Sequence, residues 1–372
     1  MEQATLDVMN QYHHVHYGNP SSLHGMGLTA EKAVSACRSR IAQMLSVGPE
    51  NVIFTSGGTE SNNLAIRGVV ERRKKRGRKL ITSKTEHPSV LEVFRYYEQE
   101  GWEVTYLDVD RQGRIQMDQL TQALDWETVL VSIMHINNET GVLQDIQAIG
   151  KCIKDTSPHV LFHSDGVQSF GKIPVHPASS QVDLLSISAH KVHGPKGLGA
   201  LYVKKGVALA PLFLGGGQER ALRSGTENVA AIAGWHQVLD KLDLSGQNAH
   251  MKRLKARFLE ELLKAVPEVT VNSPLDDGFA HHILSVSFAH IKGEVLLHAL
   301  EKRGIFVSTG SACSSKKNRD SHVLQQLGLE KSYLEGTLRF SFGKWNTEEE
   351  ILDIFPILAE EVQAIRKFTR RR

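Results

Sequence analysis

Lys191 stands at the end of an apolar run, in Ser188-Ala189-His190-Lys191-Val192-His193-Gly194-Pro195-Lys196-Gly197, with small and hydroxyl residues before it and a glycine-rich turn after it. A lysine so placed can project its amine into a cleft and form a Schiff base with a carbonyl. Read alone, it is equally a lysine of a surface loop. Upstream, Phe162-His163-Ser164-Asp165-Gly166-Val167-Gln168 delivers an acid at the end of another apolar run. A carboxylate paired with a strand-end lysine is what a pyridine-ring cofactor needs, because it keeps the ring nitrogen protonated and the ring able to accept electrons. By itself Asp165 reads as a helix cap. A third segment, Phe54-Thr55-Ser56-Gly57-Gly58-Thr59-Glu60-Ser61-Asn62-Asn63, reads as strand, glycine turn and helix start. Backbone N–H groups and hydroxyls at such a start suit a phosphate, and an ordinary tight turn capped by Thr59 fits as well. The segment matches neither the mononucleotide phosphate loop nor Gly-x-Gly-x-x-Gly, which weakens nucleotide readings.

Lysine, carboxylate and phosphate site together point to pyridoxal 5′-phosphate (PLP). Cys313 lies in Ser308-Thr309-Gly310-Ser311-Ala312-Cys313-Ser314-Ser315-Lys316-Lys317, among small residues with cations close by. Reactive cysteines sit in partly exposed, electropositive surroundings that favour thiolate. Cys37 and Cys152 fall in helical apolar patterns and read as core, which leaves Cys313 as the nucleophile. Arg339, in Leu338-Arg339-Phe340-Ser341, interrupts an apolar strand, where its planar guanidinium suits a bidentate pair with a carboxylate such as that of an amino acid. His87, in Thr85-Glu86-His87-Pro88, follows a further apolar run. It can stack on an aromatic cofactor and move protons, or serve as a satisfied structural histidine.

Residues of this kind need strand ends to hold them. From about residue 50 to 205, short β-rich runs at 52–55, 79–82, 104–107, 129–133, 160–163 and 183–187 alternate with amphipathic stretches. That rhythm predicts an α/β fold with a mostly parallel sheet flanked by helices, whose ligand loops lie at the carboxyl ends of the strands. Helical patterns follow at 226–243 and 248–266, the second stopping at Pro267. Strands at 283–288 and 338–341, a helix near 293–303 and a last helix opened by a capping box at Thr347 and Glu350 complete the chain. The expected division is a large PLP-binding domain over 10–245 and a smaller α+β domain over 246–372, with residues 1–9 packing on the smaller one.

At 372 residues the chain exceeds the ~250–300 at which a single core stops growing, so two domains are expected. No apolar run approaches a membrane span, and the first residues lack a signal-peptide pattern, which predicts a cytoplasmic protein without membrane contact. Three widely separated cysteines argue against a disulfide framework and a cysteine-rich metal site, and no metal is expected. The net charge of +3 does not imply direct nucleic-acid binding. Basic runs at Arg72-Arg73-Lys74-Lys75-Arg76, at Lys316-Lys317 with Arg319, and at Arg370-Arg371-Arg372 read as solvated surface.

Taken in order, these segments resemble the NifS/IscS-like cysteine desulfurases, within the class V aminotransferase group of fold-type-I PLP enzymes. The resemblance runs from Tyr17-Gly18-Asn19-Pro20-Ser21-Ser22 to Arg339-Phe340-Ser341-Phe342-Gly343. It implies that Lys191 carries the cofactor as a Schiff base, Asp165 pairs with the pyridine nitrogen, Gln168 bonds the phenolic oxygen and His87 stacks on the ring. Gly58, Thr59, Ser188 and His190 would hold the phosphate. Thr226, in Arg223-Ser224-Gly225-Thr226-Glu227-Asn228, would reach the phosphate of a neighbouring subunit in a homodimer. Asn138, in His135-Ile136-Asn137-Asn138-Glu139-Thr140-Gly141, and Arg339 would hold the substrate carboxylate. The implied reaction converts L-cysteine to L-alanine and leaves the sulfur on Cys313 as a persulfide. An acceptor protein, an iron–sulfur scaffold or a thiolation enzyme, would then receive it.

One departure stands out. Family members begin with a strand resembling Tyr-Leu-Asp-Asn-Ala-Ala-Thr-Thr, whereas here Met1-Glu2-Gln3-Ala4-Thr5-Leu6-Asp7-Val8-Met9 reads as part of the helix that follows it. A non-catalytic, partner-binding scaffold is the alternative this suggests, against which the full set of catalytic residue types weighs. A selenocysteine lyase or cysteine-sulfinate desulfinase of the same fold would use the same Lys191, Asp165 and Arg339. The Gly-Ser-Ala-Cys run at Cys313 favours the desulfurase.

Overall fold

Strands buried on both faces have no solvent side to alternate with, so they read as continuous apolar runs. This holds for β1 (Val52–Thr55), β2 (Lys79–Ser83), β4 (Thr128–Ser132), β5 (Leu161–Asp165), β6 (Leu184–Ser188) and β7 (Gly199–Val203), each buried along its length. The exception, β3 (Glu103–Leu107), is partly exposed at one edge of the sheet. The computed structural model describes residues 1–310 and 321–369; Cys313, Lys316, Lys317, Arg319 and Arg370–Arg372 lie outside the described residues.

The chain forms two compact units. The first, residues 1–107, 117–135 and 145–244, contains a seven-stranded sheet in the order β1-β7-β6-β5-β4-β2-β3. Its pairs are parallel except where β7 runs antiparallel to both β1 and β6. Helices α1 (Gln3–His14), α2 (Gly25–Leu45), α3 (Gly58–Arg73), α4 (Pro88–Gln99), α5 (Met117–Ala123), α6 (Ile146–Thr156) and α7 (Val229–Asp240) accompany it. Leu64, Ile66 and Val69 of α3 and Val90 and Phe94 of α4 share a core with Ile53, Leu80, Leu130 and Leu201 of the sheet. The start of α3 is thereby fixed over the strand ends.

Residues 3–14 belong to this first unit, which corrects the expectation that residues 1–9 pack on the C-terminal part. They lie on α7, where Gly234 leaves room for Met9 and Thr5: a Cβ there would come within 2.7 Å of Met9 Cγ. Cys37 is fully buried as expected, but Cys152 is half-buried, its thiol beside Thr121 Oγ1 at 3.3 Å. The apolar stripe of α6 turns on Ile146, Ile149 and Ile153, and Cys152 sits at its margin.

The second unit takes residues 108–116 and 136–144 together with the chain from Ser245. It is built on a three-stranded antiparallel sheet, β10-β9-β8, formed by β8 (Val269–Val271), β9 (Ile283–Phe288) and β10 (Thr337–Ser341). Helices α8 (Leu244–Ala265), α9 (Gly293–Lys302), α10 (His322–Gln326), α11 (Lys331–Leu334) and α12 (Glu348–Thr369) surround it. Phe258 anchors the core, its ring 4.7 Å from Phe340 and 5.0 Å from Phe355. The inserted stretch 136–144 is stitched in by a Val142–Phe279 bridge and by the Leu143 N–H donating to Gly278 O at 2.8 Å. No described helix is long and apolar enough to cross a membrane.

Candidate active site

The carboxyl ends of β1, β5 and β6 meet around the first turn of α3. Gly57 takes φ +150°, a conformation glycine reaches readily. Gly199 passes so close that a Cβ on it would lie 2.7 Å from Gly57 Cα, which admits no side chain between β7 and this turn. A Cβ on Gly58 would meet Val167 Cγ2 at 2.5 Å and Ser188 Cβ at 3.8 Å. Gly58 and Thr59 therefore open α3 directly beside the residues that follow Asp165 and the end of β6. The first N–H groups of the helix have no intrahelical acceptor, which suits its start to an anion.

Asp165 is the last residue of β5 and is buried. Its Oδ1 accepts from Val167 N–H at 2.9 Å and its Oδ2 from Asn62 Nδ2 at 2.7 Å. The same Asn62 nitrogen donates to Ser89 Oγ at 2.8 Å, and Ser89 Oγ lies 2.8 Å from His87 Nδ1. His87 caps α4, accepting from Ser89 N–H. A hydrogen-bonded chain thus links two residues singled out from the sequence, Asp165 and His87, through two that were not.

Ser188 Oγ bonds His190 Nδ1 at 2.8 Å, and a single 3₁₀ turn, Ala189–Val192, carries Lys191. Burial holds the His190 imidazole below its ordinary range, with the charges of Lys191 and Lys196 adding to the effect. Gln168 follows Asp165 in the turn after β5 and is half-buried. Thr226 is exposed in the stretch leading into α7, where Arg223 pairs with Glu60 of α3 at 3.0 Å.

Buried groups that sequence reasoning left unassigned frame this end of the sheet. Glu86 is fully buried, accepting from Met134 N–H at 2.7 Å and Ser83 Oγ at 3.1 Å. Burial raises its carboxyl to about 8, against the effect of the Met134 donor, and the charge of Asp165 adds to the rise. His163, one strand position below Ser164, sits between Ser132 Oγ (2.8 Å) and Ser186 Oγ (3.0 Å), and burial lowers its imidazole to about 3. For Asn62, at the start of α3, the only sequence hint is local: Thr59-Glu60-Ser61-Asn62-Asn63 places five polar residues in the first turns of a helix that is otherwise apolar toward the sheet.

In the second unit, Arg339 and Asn138 come together, Arg339 Nη1 donating to Asn138 O at 2.7 Å. Asn137 Oδ1 accepts from the N–H groups of Glu139 (2.9 Å) and Thr140 (3.0 Å) and shapes this turn. Glu139 is buried and accepts from Ser321 Oγ. Burial raises its carboxyl, opposed by the Ser321 hydroxyl, His322 and Arg339. A Cβ on Gly310 would lie 3.1 Å from Glu139 Oε2 and 3.2 Å from Ser321 Cβ, so residues 310 and 321 lie side by side at this carboxylate.

Comparison with known proteins settles the lineage. The family model described as aminotransferase class-V matches residues 1–354. The chain belongs to this family. Class-V enzymes of this kind depend on PLP. Its relatives include the cysteine desulfurase IscS of Dictyoglomus turgidum, 40% identical over 373 residues, with 99% of this chain and 94% of the relative covered. The IscS of Vibrio vulnificus is 45% identical over 340 residues, covering 90% of this chain and 83% of the relative. Among solved structures, a NifS-like protein superposes with a TM-score of 0.92 at 37% identity, over 98% of this chain and 96% of that one. SspA in complex with cysteine gives a TM-score of 0.81 at 32% identity, over 93% of this chain and 97% of its own.

The class-V cofactor fits the residues present. A helix start suited to its phosphate, a buried carboxylate suited to its ring nitrogen and a lysine one turn past β6 stand at one end of one sheet.

Proposed function

We infer that this chain is a PLP-dependent cysteine desulfurase, releasing L-alanine from L-cysteine. The observation that carries this is the meeting of Asp165, the first turn of α3 and the end of β6, with Lys191 one turn on. In this reading Gly58, Thr59, Ser188 and His190 hold the cofactor phosphate, Asp165 its ring nitrogen, Gln168 its phenolic oxygen, His87 its ring face and Lys191 Nζ its carbonyl carbon. When bound, PLP supplies an electron sink for negative charge at the substrate Cα.

Lys191 Nζ, displaced by the substrate amine, takes the Cα proton. Arg339 and Asn138 orient the substrate carboxylate. Cys313 receives the sulfur: as its thiolate attacks the substrate Sγ, an S–S bond forms and the Cβ–Sγ bond breaks. The electron pair stays with the carbon skeleton, which takes up a proton at Cβ, regains from Lys191 the one at Cα and leaves as L-alanine. A free thiol with a pKa of ~8.5 is only slightly ionised near neutrality, so the attack draws on the thiolate fraction that the cations beside Cys313 in sequence, Lys316 and Lys317, favour.

Finer points extend this reading. Thr226 completes the phosphate site of a partner protomer, giving a homodimer. Sulfur passes directly from the Cys313 persulfide to an acceptor protein in the cytoplasm. The likeness to a structure holding cysteine supports L-cysteine rather than its selenium analogue as substrate.

The test is an absorbance spectrum of the purified chain, then addition of L-cysteine with assays for alanine and for persulfide on Cys313. A yellow protein yielding both is expected, and one that stays colourless with PLP overturns the assignment. Cys313→Ala should keep the PLP band and lose alanine release; undiminished release would remove the persulfide step.

A further inference from the structure

We propose that Asn62 is a positioning residue whose single amide nitrogen ties the Asp165 carboxylate to the Ser89–His87 cap of α4, so that one side chain sets both groups that address the cofactor ring. The inference rests on the assignment of Asp165 and His87 to that ring.

The direction of each hydrogen bond follows from the donors. Ser89 N–H, which can only donate, points at His87 Nδ1 at 3.1 Å, so Nδ1 is an acceptor and a neutral His87 carries its proton on Nε2. Ser89 Oγ, 2.8 Å from the same nitrogen, must therefore donate to it. The lone pairs of Ser89 Oγ are left to receive Asn62 Nδ2 at 2.8 Å. The other hydrogen of Nδ2 goes to Asp165 Oδ2 at 2.7 Å. With Val167 N–H on Oδ1, both Asp165 oxygens have a fixed donor and the plane of the carboxylate is set.

A second observation bears on the orientation of the amide. Asn62 is 1% exposed, and its Oδ1 is buried without a hydrogen bond. Buried polar atoms are ordinarily satisfied, and an orphan carries a cost. The flipped amide would set Oδ1 against Asp165 Oδ2, two acceptors with no proton between them. The orphan oxygen is what remains when both hydrogens of Nδ2 are committed to Asp165 and Ser89. A packing role alone would be met by an apolar residue of the same size, with no orphan.

The test uses the PLP-loaded enzyme and two readouts other than turnover: the pH midpoint of the bound-PLP absorption band and the PLP dissociation constant. Asn62→Leu, of similar volume and without a donor, should move the midpoint by about half a pH unit or more and weaken PLP binding roughly tenfold. Ser89→Ala, which removes only the outer anchor, should move the midpoint in the same direction by less. In an Asp165→Ala background the penalty of Asn62→Leu should shrink to under about threefold, because the acceptor of the bond it removes is already gone. An unmoved midpoint in Asn62→Leu, or a full penalty in both backgrounds, overturns the proposal. If Asn62→Leu does not fold, an unmoved midpoint in Ser89→Ala overturns it. Wild-type protein that stays colourless with PLP would overturn the cofactor assignment as well, whereas a yellow wild type with unresponsive variants removes only the role of Asn62.

Discussion

The sheet end of the first unit and the Glu139–Arg339 cluster of the second are both polar and largely buried, yet they are built from different parts. At the sheet end the linking groups are short: Asn62 of α3 reaches Ser89 at the start of α4 and Asp165 of β5 across one hydrogen bond each, and Ser188 of β6 reaches His190 in the same way. Short side chains on regular elements have few rotamers to lose, so the geometry is set before any ligand arrives. In the second unit two long charged side chains, Glu139 on a turn and Arg339 on β10, hold one another's surroundings and the flanks of residues 311–320. The contrast matches a division of labour in which the first region receives a resident cofactor and the second receives what passes through.

Substitutions in the two regions should then differ in kind. The largest effect is expected for Asp165→Asn, which removes the carboxylate at the centre of the first network. Cofactor retention and alanine formation should fall together, the latter on the order of a hundredfold, as when one pre-organised electrostatic partner is lost. Absorbance after gel filtration and a single-turnover assay check it; a yellow, fully active variant would break the contrast. Next comes Arg339→Lys, which keeps the charge and loses the fork geometry. The protein should stay yellow while KM for L-cysteine rises roughly tenfold with a smaller change in kcat. Colour loss in this variant would show that the second region also holds the cofactor.

The last effect is on stability rather than on turnover. The Glu86 carboxyl is raised to about 8 in the fold from an ordinary value of 4.5. Between those values the folded state binds more protons than the unfolded one, so this group makes stability fall as pH rises through that window. Glu86→Gln keeps an acceptor for the Met134 N–H and removes the titration. Its melting temperature should equal that of wild type near pH 5 and exceed it near pH 8. The difference corresponds to a few kcal/mol, since a tenfold change in proton affinity is worth ~1.4 kcal/mol. Parallel melting curves for the two proteins would remove Glu86 as the source.

Much of this arrangement was legible in the sequence, for physical reasons. Strands buried on both faces announce themselves as apolar runs, and residues just past their ends are the ones a parallel sheet gathers, which is why Asp165, Lys191 and His87 stand out in the sequence. β7 escaped because its first residues, Gly199 and Ala200, are small and follow a glycine-rich turn, so they carry little strand signal. The transfer of 108–116 and 136–144 to the second unit depends on contacts with residues more than a hundred positions away, such as Val142 with Phe279, which no local pattern records. Asn62, Glu86 and Glu139 were quoted within their motifs and left without a role, because whether a polar residue is buried is decided by partners elsewhere in the chain. Met9 and Thr5 found their place for the same reason, in the space that Gly234 leaves on α7.

The closeness of Gly310 to Ser321 has an evolutionary consequence. Gly310 and Ser321 both stand against the buried carboxylate of Glu139. As a general rule, joining two fixed ends by a longer stretch of chain costs only about 0.6 kcal/mol for each doubling of its length. A change in the number of residues between two such posts therefore costs the described scaffold little, and the sequence around Cys313 can diverge while Glu139, Ser321 and Arg339 stay as they are.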